Sequence, residues 1–384
     1  MPHRTGTSVN GTRGARAAGG RGGRRTRRHA APLEVLYPQA WVWSAATSTD
    51  ALLNLHVATW LERRGLVPPE RVQAFCAMLN LDAFVRFAFP ACRAPSLRQW
   101  LARYTAWLYL ADDELERAVA QHDGSSLPAI ASYLAVLEHR RLPPSASPLA
   151  RAFAALSDEL LARVQDPCFV SKWREAHSHH WLLGALEEGR STTQALQPCL
   201  VRKPAVTALH VYFDLIEVVT GHSLPEDLHD DEELSQLRAL GALIDGLFND
   251  ALSFERERAG CVHSNVVLCL CSDRRMRTDQ ALRRTVELHN DLVMDFDVLT
   301  KALLYRHDAF ATELSAYLQA MRYLLAGLAQ WQLVVPRYRV PHALKLVQRR
   351  ATPYDSVCSA CLLDSATLAA RIADRLTSRG SNLS

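Results

Sequence analysis

Apolar residues recur along most of the chain with the three-to-four-residue spacing of amphipathic helices. The pattern begins near Leu36 and is interrupted by short segments rich in Gly and Pro, which are typical of turns. It predicts helices over residues 51–64, 71–89, 97–124, 128–139, 148–165, 168–188, 206–221, 231–259, 262–273, 278–306 and 308–333. Strand signals are poor, since no alternating run with hairpin turns is present, and we expect an all-α bundle.

Composition divides the chain into three parts. Residues 1–32 are rich in Arg, Gly, Ala and Thr and cannot bury enough surface to offset their ordering entropy, so we predict a disordered extension. Residues 33–350 contain no Pro/Gly/Ser-rich linker and are predicted to form a single domain. Residues 351–384 form a predicted C-terminal helical tail, amphipathic over 362–379.

The net charge of +4 comes entirely from the N-terminal extension. Eight of the 44 Lys and Arg residues lie within residues 1–28, which contain no acid, so the remainder carries 36 basic and 40 acidic residues. Binding to nucleic acid requires a basic face, and we therefore expect no nucleic-acid partner for the body of the protein. An RNA-binding role for the extension alone is a disfavoured alternative.

Cysteine usage and hydropathy bear on the cellular compartment. The nine cysteines are scattered, and the single redox-like or metal-like spacing, Cys358–Cys361, has no second pair. We expect reduced, buried thiols in a cytoplasmic protein. No apolar run reaches about 18 residues, so we expect no stable membrane insertion.

Three oxygen-bearing side chains follow one another at helical spacing in FNDALSFERER. Asn249, Ser253 and Glu257 stand at i, i+4 and i+8, which places them along one stripe of a helix. Amide, hydroxyl and carboxylate oxygens are ligands that Mg²⁺ accepts, and Arg256 could bind an anion held by the same metal. An ordinary polar face of a surface helix is the alternative.

A second cluster ends a long predicted helix in AWLYLADDELER. Asp112 and Asp113 each stand one helical turn before Glu116. Crowded carboxylates repel one another, and acids near a helix C-terminus oppose the helix dipole, so the cluster favours a bound cation over a solvated helix end.

Together the two clusters resemble the motifs of class I terpene synthases, particularly the bacterial type. Residues 112–116 look like the aspartate-rich DDxx(D/E) motif, and residues 249–257 match the NDxxSxx(R/K)E motif in full, 137 positions later. Trp331 followed by Arg337 and Tyr338 resembles the family's C-terminal Arg-Tyr pair with its preceding Trp.

The family's diphosphate-sensing arginine corresponds in position to Arg202, 47 residues before Asn249. Many relatives follow this arginine with a polar linker and a Gly at a helix break. Here Ala205 and Val206 occupy those places after Pro204, so the linker hydrogen bond is missing and the route of diphosphate sensing is open.

The resemblance implies a class I terpenoid synthase bundle with a central active-site cavity. Three Mg²⁺ ions are expected, for which Mn²⁺ can substitute. The implied metal ligands are Asp112, Asn249, Ser253 and Glu257. The residues implied to donate hydrogen bonds to the substrate diphosphate are Arg202, Arg256, Arg337 and Tyr338. Asp113 and Glu116 are expected to orient arginines during closure.

Aromatic side chains are expected to stabilise carbocations in the cavity. Tyr109, Trp107 and Trp331 are candidates by position, with core packing as the alternative for each, and Phe248 is assigned to the core.

The implied reaction is Mg²⁺-dependent cyclisation of an acyclic prenyl diphosphate with release of diphosphate. Farnesyl diphosphate is the leading substrate, and geranylgeranyl, geranyl and methylated geranyl diphosphates are alternatives. A chain-elongating isoprenyl diphosphate synthase would carry two DDxxD motifs, and a helical scaffold would need neither metal set. Because the family often forms antiparallel dimers, a homodimer is left open.

Other polar runs are weaker candidates for sites. Residues 229–233 (HDDEE) precede a helix, where acids favour the dipole and solvent. Asp295 and Asp297 lack the further Asp of a protonation-type cyclase motif. Residues 177–180 contain three histidines without a nearby ligand partner, and we expect a partly exposed helix face there.

Overall fold

The structure is a computed structural model that describes residues 31–43, 51–120, 126–164, 166–190, 195–259, 264–338, 344–349, 370 and 372–375. The predicted extension and tail, together with Cys358 and Cys361, lie almost entirely outside these residues. The three-part division of the chain therefore stays a prediction.

The described residues form fifteen α-helices and two short strands. The helices are α1 (Ala51–Arg64), α2 (Pro69–Leu79), α3 (Leu81–Ala88), α4 (Pro95–Ala120), α5 (Ser126–Leu137), α6 (Pro148–Leu161), α7 (Pro167–Glu175), α8 (Leu183–Arg190), α9 (Leu196–Val206), α10 (Leu209–Thr220), α11 (Glu226–His229), α12 (Glu232–Ala259), α13 (Val266–Asp273), α14 (Thr278–Arg306) and α15 (Ala311–Val334). A π-helical segment, Ala176–Leu182, joins α7 to α8, and 3₁₀ turns occupy Gln39–Trp41, Asp308–Phe310 and Pro336–Tyr338. The predicted all-α class is confirmed.

Helix boundaries follow ordinary capping chemistry. Ser147 accepts a hydrogen bond from the Ala150 amide at the start of α6 (3.1 Å), and Asn265 accepts from two amides at the start of α13. Gly221 ends α10 with a positive φ of 69°, a conformation that glycine adopts without a Cβ clash.

One predicted helix is divided in the structure, and one observed helix was missed. The single helix expected over residues 71–89 is divided at Asn80, which adopts a left-handed φ of 44° and caps α3 with its own side chain. Helix α9 was not predicted, and the predicted helix over residues 206–221 began too early. Helix α9 continues through Pro204 to Val206, and the backbone turns at Ala208, where φ is 55°.

The two strands were also not predicted. β1 (Leu33–Pro38) pairs in parallel with β2 (Leu344–Arg349), in a register that aligns Leu33 with Leu344. Each strand is six residues long and its partner lies about three hundred residues away, so neither leaves a local hairpin signal. The Leu36 amide donates to Asn290 Oδ1 (2.8 Å), which fastens β1 to α14.

Helix α12 lies at the centre of the bundle and positions the site. It packs against α9, α10, α13, α14 and α15, and most of its residues from Leu237 to Phe254 are buried. Gly246 permits close approach of α9, since a Cβ there would come within 2.7 Å of the Lys203 side chain. None of the described helices is both long and apolar enough to cross a membrane.

Candidate active site

The three predicted metal ligands of α12, Asn249, Ser253 and Glu257, lie along one stripe of the helix. Ser253 Oγ donates to the Asn249 carbonyl (2.8 Å) and lies 3.4 Å from Asn249 Oδ1. Asn249 Nδ2 donates to the Tyr338 hydroxyl (3.1 Å), which turns Oδ1 towards Ser253. Glu257 is mostly buried and accepts a hydrogen bond from Asn265 Nδ2 (2.8 Å). The stripe therefore presents amide, hydroxyl and carboxylate oxygens in oriented positions.

A buried polar network supports this stripe from behind. Lys203 Nζ lies 2.8 Å from Asp250 Oδ1, with both side chains almost fully buried. Asp250 Oδ2 accepts from the Val266 amide (2.7 Å), and Asn265 Nδ2 reaches the Asp250 carbonyl (3.1 Å). Burial raises the pKa of Asp250, and the Lys203 ammonium opposes that rise. The network ties α9, α12 and the start of α13 together beneath Asn249 and Glu257.

The acidic motif lies on the described part of α4. Arg337 Nη2 donates to Asp113 Oδ1 (3.0 Å), and Trp181 Nε1 lies 3.5 Å from Asp112 Oδ1. Burial, and after it the charge of Asp113, raises the pKa of Asp112 to about 6, while Arg337 opposes the rise. The backbone of Glu116 lies in α4, but its side chain is outside the described atoms.

Tyrosine hydroxyls connect the acidic motif of α4 with the oxygen-bearing stripe of α12. The hydroxyls of Tyr109, on α4, and Tyr338 are 3.0 Å apart, and Tyr338 also accepts from Asn249 on α12. The Arg337 guanidinium lies 4.8 Å above the Tyr109 ring, and Arg256 lies 6.0 Å above that of Tyr338. Tyr109, Tyr338 and Asn249 thus form a continuous bridge between the α4 and α12 sides.

The predicted aromatic residues differ in burial. Trp331 is fully buried, donates to the Leu79 carbonyl (2.7 Å) and packs edge-on against Tyr109 and Tyr338. Trp107 is also fully buried and stacks on Phe153, with ring centroids 4.3 Å apart. Tyr109 is half-buried and lies beside the donors. Phe248 is buried, as predicted.

The remaining predicted arginines lie on α9 and α12. Arg256 is exposed and approaches Glu257 at 3.6 Å. Arg202 is half-buried on α9, next to Lys203, whose ammonium bonds Asp250 beside Asn249. Arg202 therefore belongs to the helix that packs directly on the donor-bearing part of α12.

The donor chemistry fits a divalent cation. Amide, hydroxyl and carboxylate oxygens line α12, and the carboxylates of Asp112 and Asp113 lie on α4. Mg²⁺ prefers oxygen ligands of these kinds. No group of three His, Cys, Asp or Glu suited to a metal occurs among the described residues. The amide and hydroxyl oxygens of Asn249 and Ser253 differ from the Cys and His ligands typical of a zinc site.

The competing polar runs have other partners. Asp231 caps α12 by accepting from the Leu234 amide (2.8 Å), and Glu233 pairs with Arg306. Asp295 pairs with Arg375 at 2.9 Å.

The expectation of a partly exposed histidine face was wrong for His177. His177 is fully buried and bonds the Tyr104 hydroxyl (2.8 Å) and the Trp173 carbonyl (2.7 Å). His177 stands four residues from both Trp173 and Trp181, and the three buried rings pack together.

Several residues of the site were missed from the sequence. Asn265 carries an N-cap signal before the apolar run VVLCL, but nothing local indicates its bond to Glu257. Lys203 and Asp250 are distant in sequence, so their pairing leaves no pattern.

Comparisons with known proteins add a family context. A family model described as "Terpene synthase family 2, C-terminal metal binding" matches residues 103–295. Among relatives, 10-epi-cubebol synthase of Sorangium cellulosum is 23% identical over 319 residues, covering 81% of this chain and 97% of that protein. The (+)-T-muurolol synthase ((2E,6E)-farnesyl diphosphate cyclizing) of Streptomyces clavuligerus is 25% identical over 300 residues, covering 75% and 70%.

Solved structures are similar in fold. A linalool/nerolidol synthase from Streptomyces clavuligerus aligns with a TM-score of 0.66 and 18% sequence identity, covering 73% of this chain and 95% of that one. The family match begins within α4 and ends within α14. The matched range thus includes the acidic motif (residues 112–116) and the α12 stripe (residues 249–257), and excludes Arg337 and Tyr338.

Proposed function

This chain belongs to terpene synthase family 2, among the bacterial-type class I terpene cyclases, and we propose that it cyclises farnesyl diphosphate in a Mg²⁺-dependent reaction. The products would be diphosphate and a sesquiterpene hydrocarbon or alcohol. The observation that supports this proposal is the hydrogen-bonded bridge from Tyr109 through Tyr338 to Asn249, which links α4, the helix of Asp112 and Asp113, to the oxygen-bearing stripe of α12.

We assign the metal ligands to both sides of the bridge. Asp112 would bind from α4, and Asn249, Ser253 and Glu257 from α12. Bound divalent cations would act as Lewis acids on the diphosphate oxygens, which favours ionisation of the allylic C–O bond. The chain supports this by orienting its donors in advance: Tyr338 fixes the Asn249 amide, and Asn265 fixes the Glu257 carboxylate.

Arginines would stabilise the leaving diphosphate, because a guanidinium binds phosphate oxygens at more than one point. Arg337 is already held between Asp113 and the Tyr109 ring, so its position is defined before substrate arrives. Arg256 would reach the diphosphate from the exposed end of the stripe. Arg202 would do so from α9, and Tyr338 would add its hydroxyl.

Two carboxylates of α4 are assigned to orientation. Asp113 would hold Arg337 through the ion pair, and Glu116 would orient an arginine during closure.

The aromatic residues would shield and stabilise the carbocation. Tyr109, half-buried beside the donors, is the ring best placed to face the substrate. Trp331 lies fully buried behind it, and its indole packs at 5.8 Å from the Tyr109 ring. A cation passing the ring face is favoured by the ring quadrupole, and exclusion of water prevents premature capture.

The substrate assignment draws on the relatives. One relative's name specifies cyclisation of (2E,6E)-farnesyl diphosphate, and this supports the C15 substrate here. Geranyl, methylated geranyl and geranylgeranyl diphosphates are the alternatives that the assay must include.

The test is incubation with C10, C15 and C20 prenyl diphosphates and Mg²⁺, followed by headspace gas chromatography and a diphosphate assay. We expect a cyclic C15 product and equimolar diphosphate. Diphosphate release without any terpene would contradict the cyclase function, and a C10 or C20 product would correct the substrate.

Metal-site variants test the ligand assignment. Asp112→Ala and Asn249→Ala should each abolish turnover while leaving the helical circular dichroism intact. Retention of activity in both variants would refute the assignment.

A further inference from the structure

The donor stripe of α12 continues one turn towards the helix N-terminus, to Asp245. Asp245 stands four residues before Asn249, so its carboxyl lies on the same face, roughly 6 Å further along the helix axis. Asp245 is therefore one turn further from the C-terminal end of α12 than the proposed metal ligands.

Asp245 is half-buried in a part of α12 whose other residues are mostly buried. Its neighbours Ile244 and Gly246 are buried, whereas Asp245 is only half-buried. Helices α9, α10, α13, α14 and α15 surround α12, and the hydrogen-bond partner of Asp245, Gln332 on α15, is 2% exposed. The Asp245 carboxyl is thus only partly covered, although helices pack around this part of α12.

One oxygen of this carboxyl is held and the other is open. Gln332 Nε2 donates to Asp245 Oδ1 (3.0 Å), and none of the residues that the structure describes donates to Oδ2. The hydroxyls of the nearby buried tyrosines bond other residues: Tyr37 bonds His289, and Tyr212 donates to Thr105. Burial raises the pKa of both phenols and the Asp245 charge adds to the rise, which places that charge close to them.

We propose that Asp245 accepts the proton that ends the carbocation sequence, a role that rests on the cyclase function proposed above. In this step a C–H bond next to the cationic carbon breaks, and its electron pair becomes the π bond of an alkene. The proton passes to Oδ2 of Asp245, while Gln332 keeps the carboxylate oriented. The resulting carboxylic acid returns its proton to water after the product has left.

The environment suits a reversible proton acceptor. Burial raises the pKa of Asp245 to about 7, and the hydrogen bond from Gln332 opposes the rise. A group that titrates near neutral pH can both take up a proton and release it during each cycle.

The primary test is Asp245→Asn, assayed with farnesyl diphosphate for diphosphate release and for product composition. The amide retains the size of the side chain and an acceptor for Gln332 but cannot serve as the base. We expect diphosphate release within about threefold of wild type, because ionisation occurs at the metal site. The share of the main alkene should fall by at least about tenfold, because the amide cannot accept the proton.

Matched variants separate proton transfer from packing. Glu232→Gln makes the same carboxyl-to-amide change at an exposed position of α12 and should leave the product composition unchanged. Asp245→Glu should restore part of the alkene share. If Asp245→Asn loses its helical circular dichroism, Gln332→Leu provides the test, since it keeps the carboxylate but releases its orientation; the alkene share should then fall severalfold.

Three results would overturn the role. The first is an unchanged product composition in folded Asp245→Asn or, if that variant does not fold, in Gln332→Leu, which would assign the proton to diphosphate or water. The second is exclusive formation of terpene alcohols by the wild type. The third is a wild type that makes no terpene, which refutes the cyclase function itself and is thereby distinguished from the first two.

Discussion

The α4 side of the site rests on aromatic packing, whereas the α12 side rests on buried polar groups. Behind Asp112, Trp107 stacks on Phe153 and packs edge-on against Trp181, whose indole approaches the carboxylate. Further back, His177 lies against Trp173 with ring centroids 4.1 Å apart. This support is mainly contact area, which tolerates changes of similar volume.

Behind Asn249 the supporting groups are Lys203, Asp250 and Asn265, joined by hydrogen bonds of 2.7–3.1 Å to each other and to the start of α13. A buried polar network is favourable when complete and costly when one member is missing. Substitutions should therefore affect the two sides differently. On the α4 side a change of similar volume should cost little stability, whereas on the α12 side the loss of a single polar group should cost much more.

The largest effect is expected from Asp250→Leu, which leaves the Lys203 ammonium buried without its partner. Breaking a buried ion pair in this way typically costs about 3–5 kcal/mol of the free energy of unfolding. Lys203→Met should cost less, because burial already raises the pKa of Asp250 towards the neutral form. Urea unfolding of both variants provides the measurement, and an equal or larger cost for Lys203→Met would contradict the asymmetry.

The next effect concerns metal affinity rather than the fold. Asn265→Asp retains the acceptor that caps α13 but loses the donor to Glu257 and adds a like charge beside it. Loss of an outer-shell partner typically weakens metal binding by about 10–100-fold. Tryptophan fluorescence during Mg²⁺ titration with diphosphate present would measure it.

A matched variant separates the two functions of Asn265. Asn265→Ala loses the cap as well, and should show a similar loss of affinity with an additional loss of stability of about 1 kcal/mol. Wild-type affinity in Asn265→Asp would show that Glu257 needs no such support.

Local spacing was sufficient to predict that Asn249, Ser253 and Glu257 share one face of a helix, since their geometry follows from its period. Their role as metal ligands stays a prediction. Groups that meet through tertiary structure were not predictable. The β1–β2 pairing, the Lys203–Asp250 pair and the bond from Asn265 to Glu257 each join elements whose relative position depends on packing.

Local exceptions account for the other differences. Pro204 lies inside α9 although proline usually ends a helix, and His177 is buried against Trp173 although a partly exposed helix face was expected. At both positions tertiary packing outweighs what the local sequence indicates.

Acid should weaken the aromatic side through His177. Burial lowers its pKa to about 3, below the ordinary value near 6.5, so between these values the unfolded chain binds more protons than the folded one. Its contribution to stability is complete above about pH 6.5 and decreases as pH falls, by about 1.4 kcal/mol per pH unit. His289, whose pKa burial lowers to about 4, adds a similar loss from α14.

The His177 share can be isolated by comparison with His177→Gln, whose side chain does not titrate. In urea unfolding at pH 7, 6 and 5, the free energy of unfolding should decline more steeply for the wild type, by up to about 1.4 kcal/mol per pH unit. Parallel declines would mean that His177 does not sense pH.

The smallest effect is expected where acidic residues are densest. Asp230 and Glu232 are exposed at the start of α12, so Asp230→Asn/Glu232→Gln should change the free energy of unfolding by no more than about 0.5 kcal/mol. Mg²⁺ affinity should equal that of the wild type in the same fluorescence titration. A tenfold loss would reveal a second cation site at this end of α12. Unchanged affinity would mean that the site depends on how its oxygens are held, by Tyr338 and Asn265, rather than on the number of carboxylates nearby.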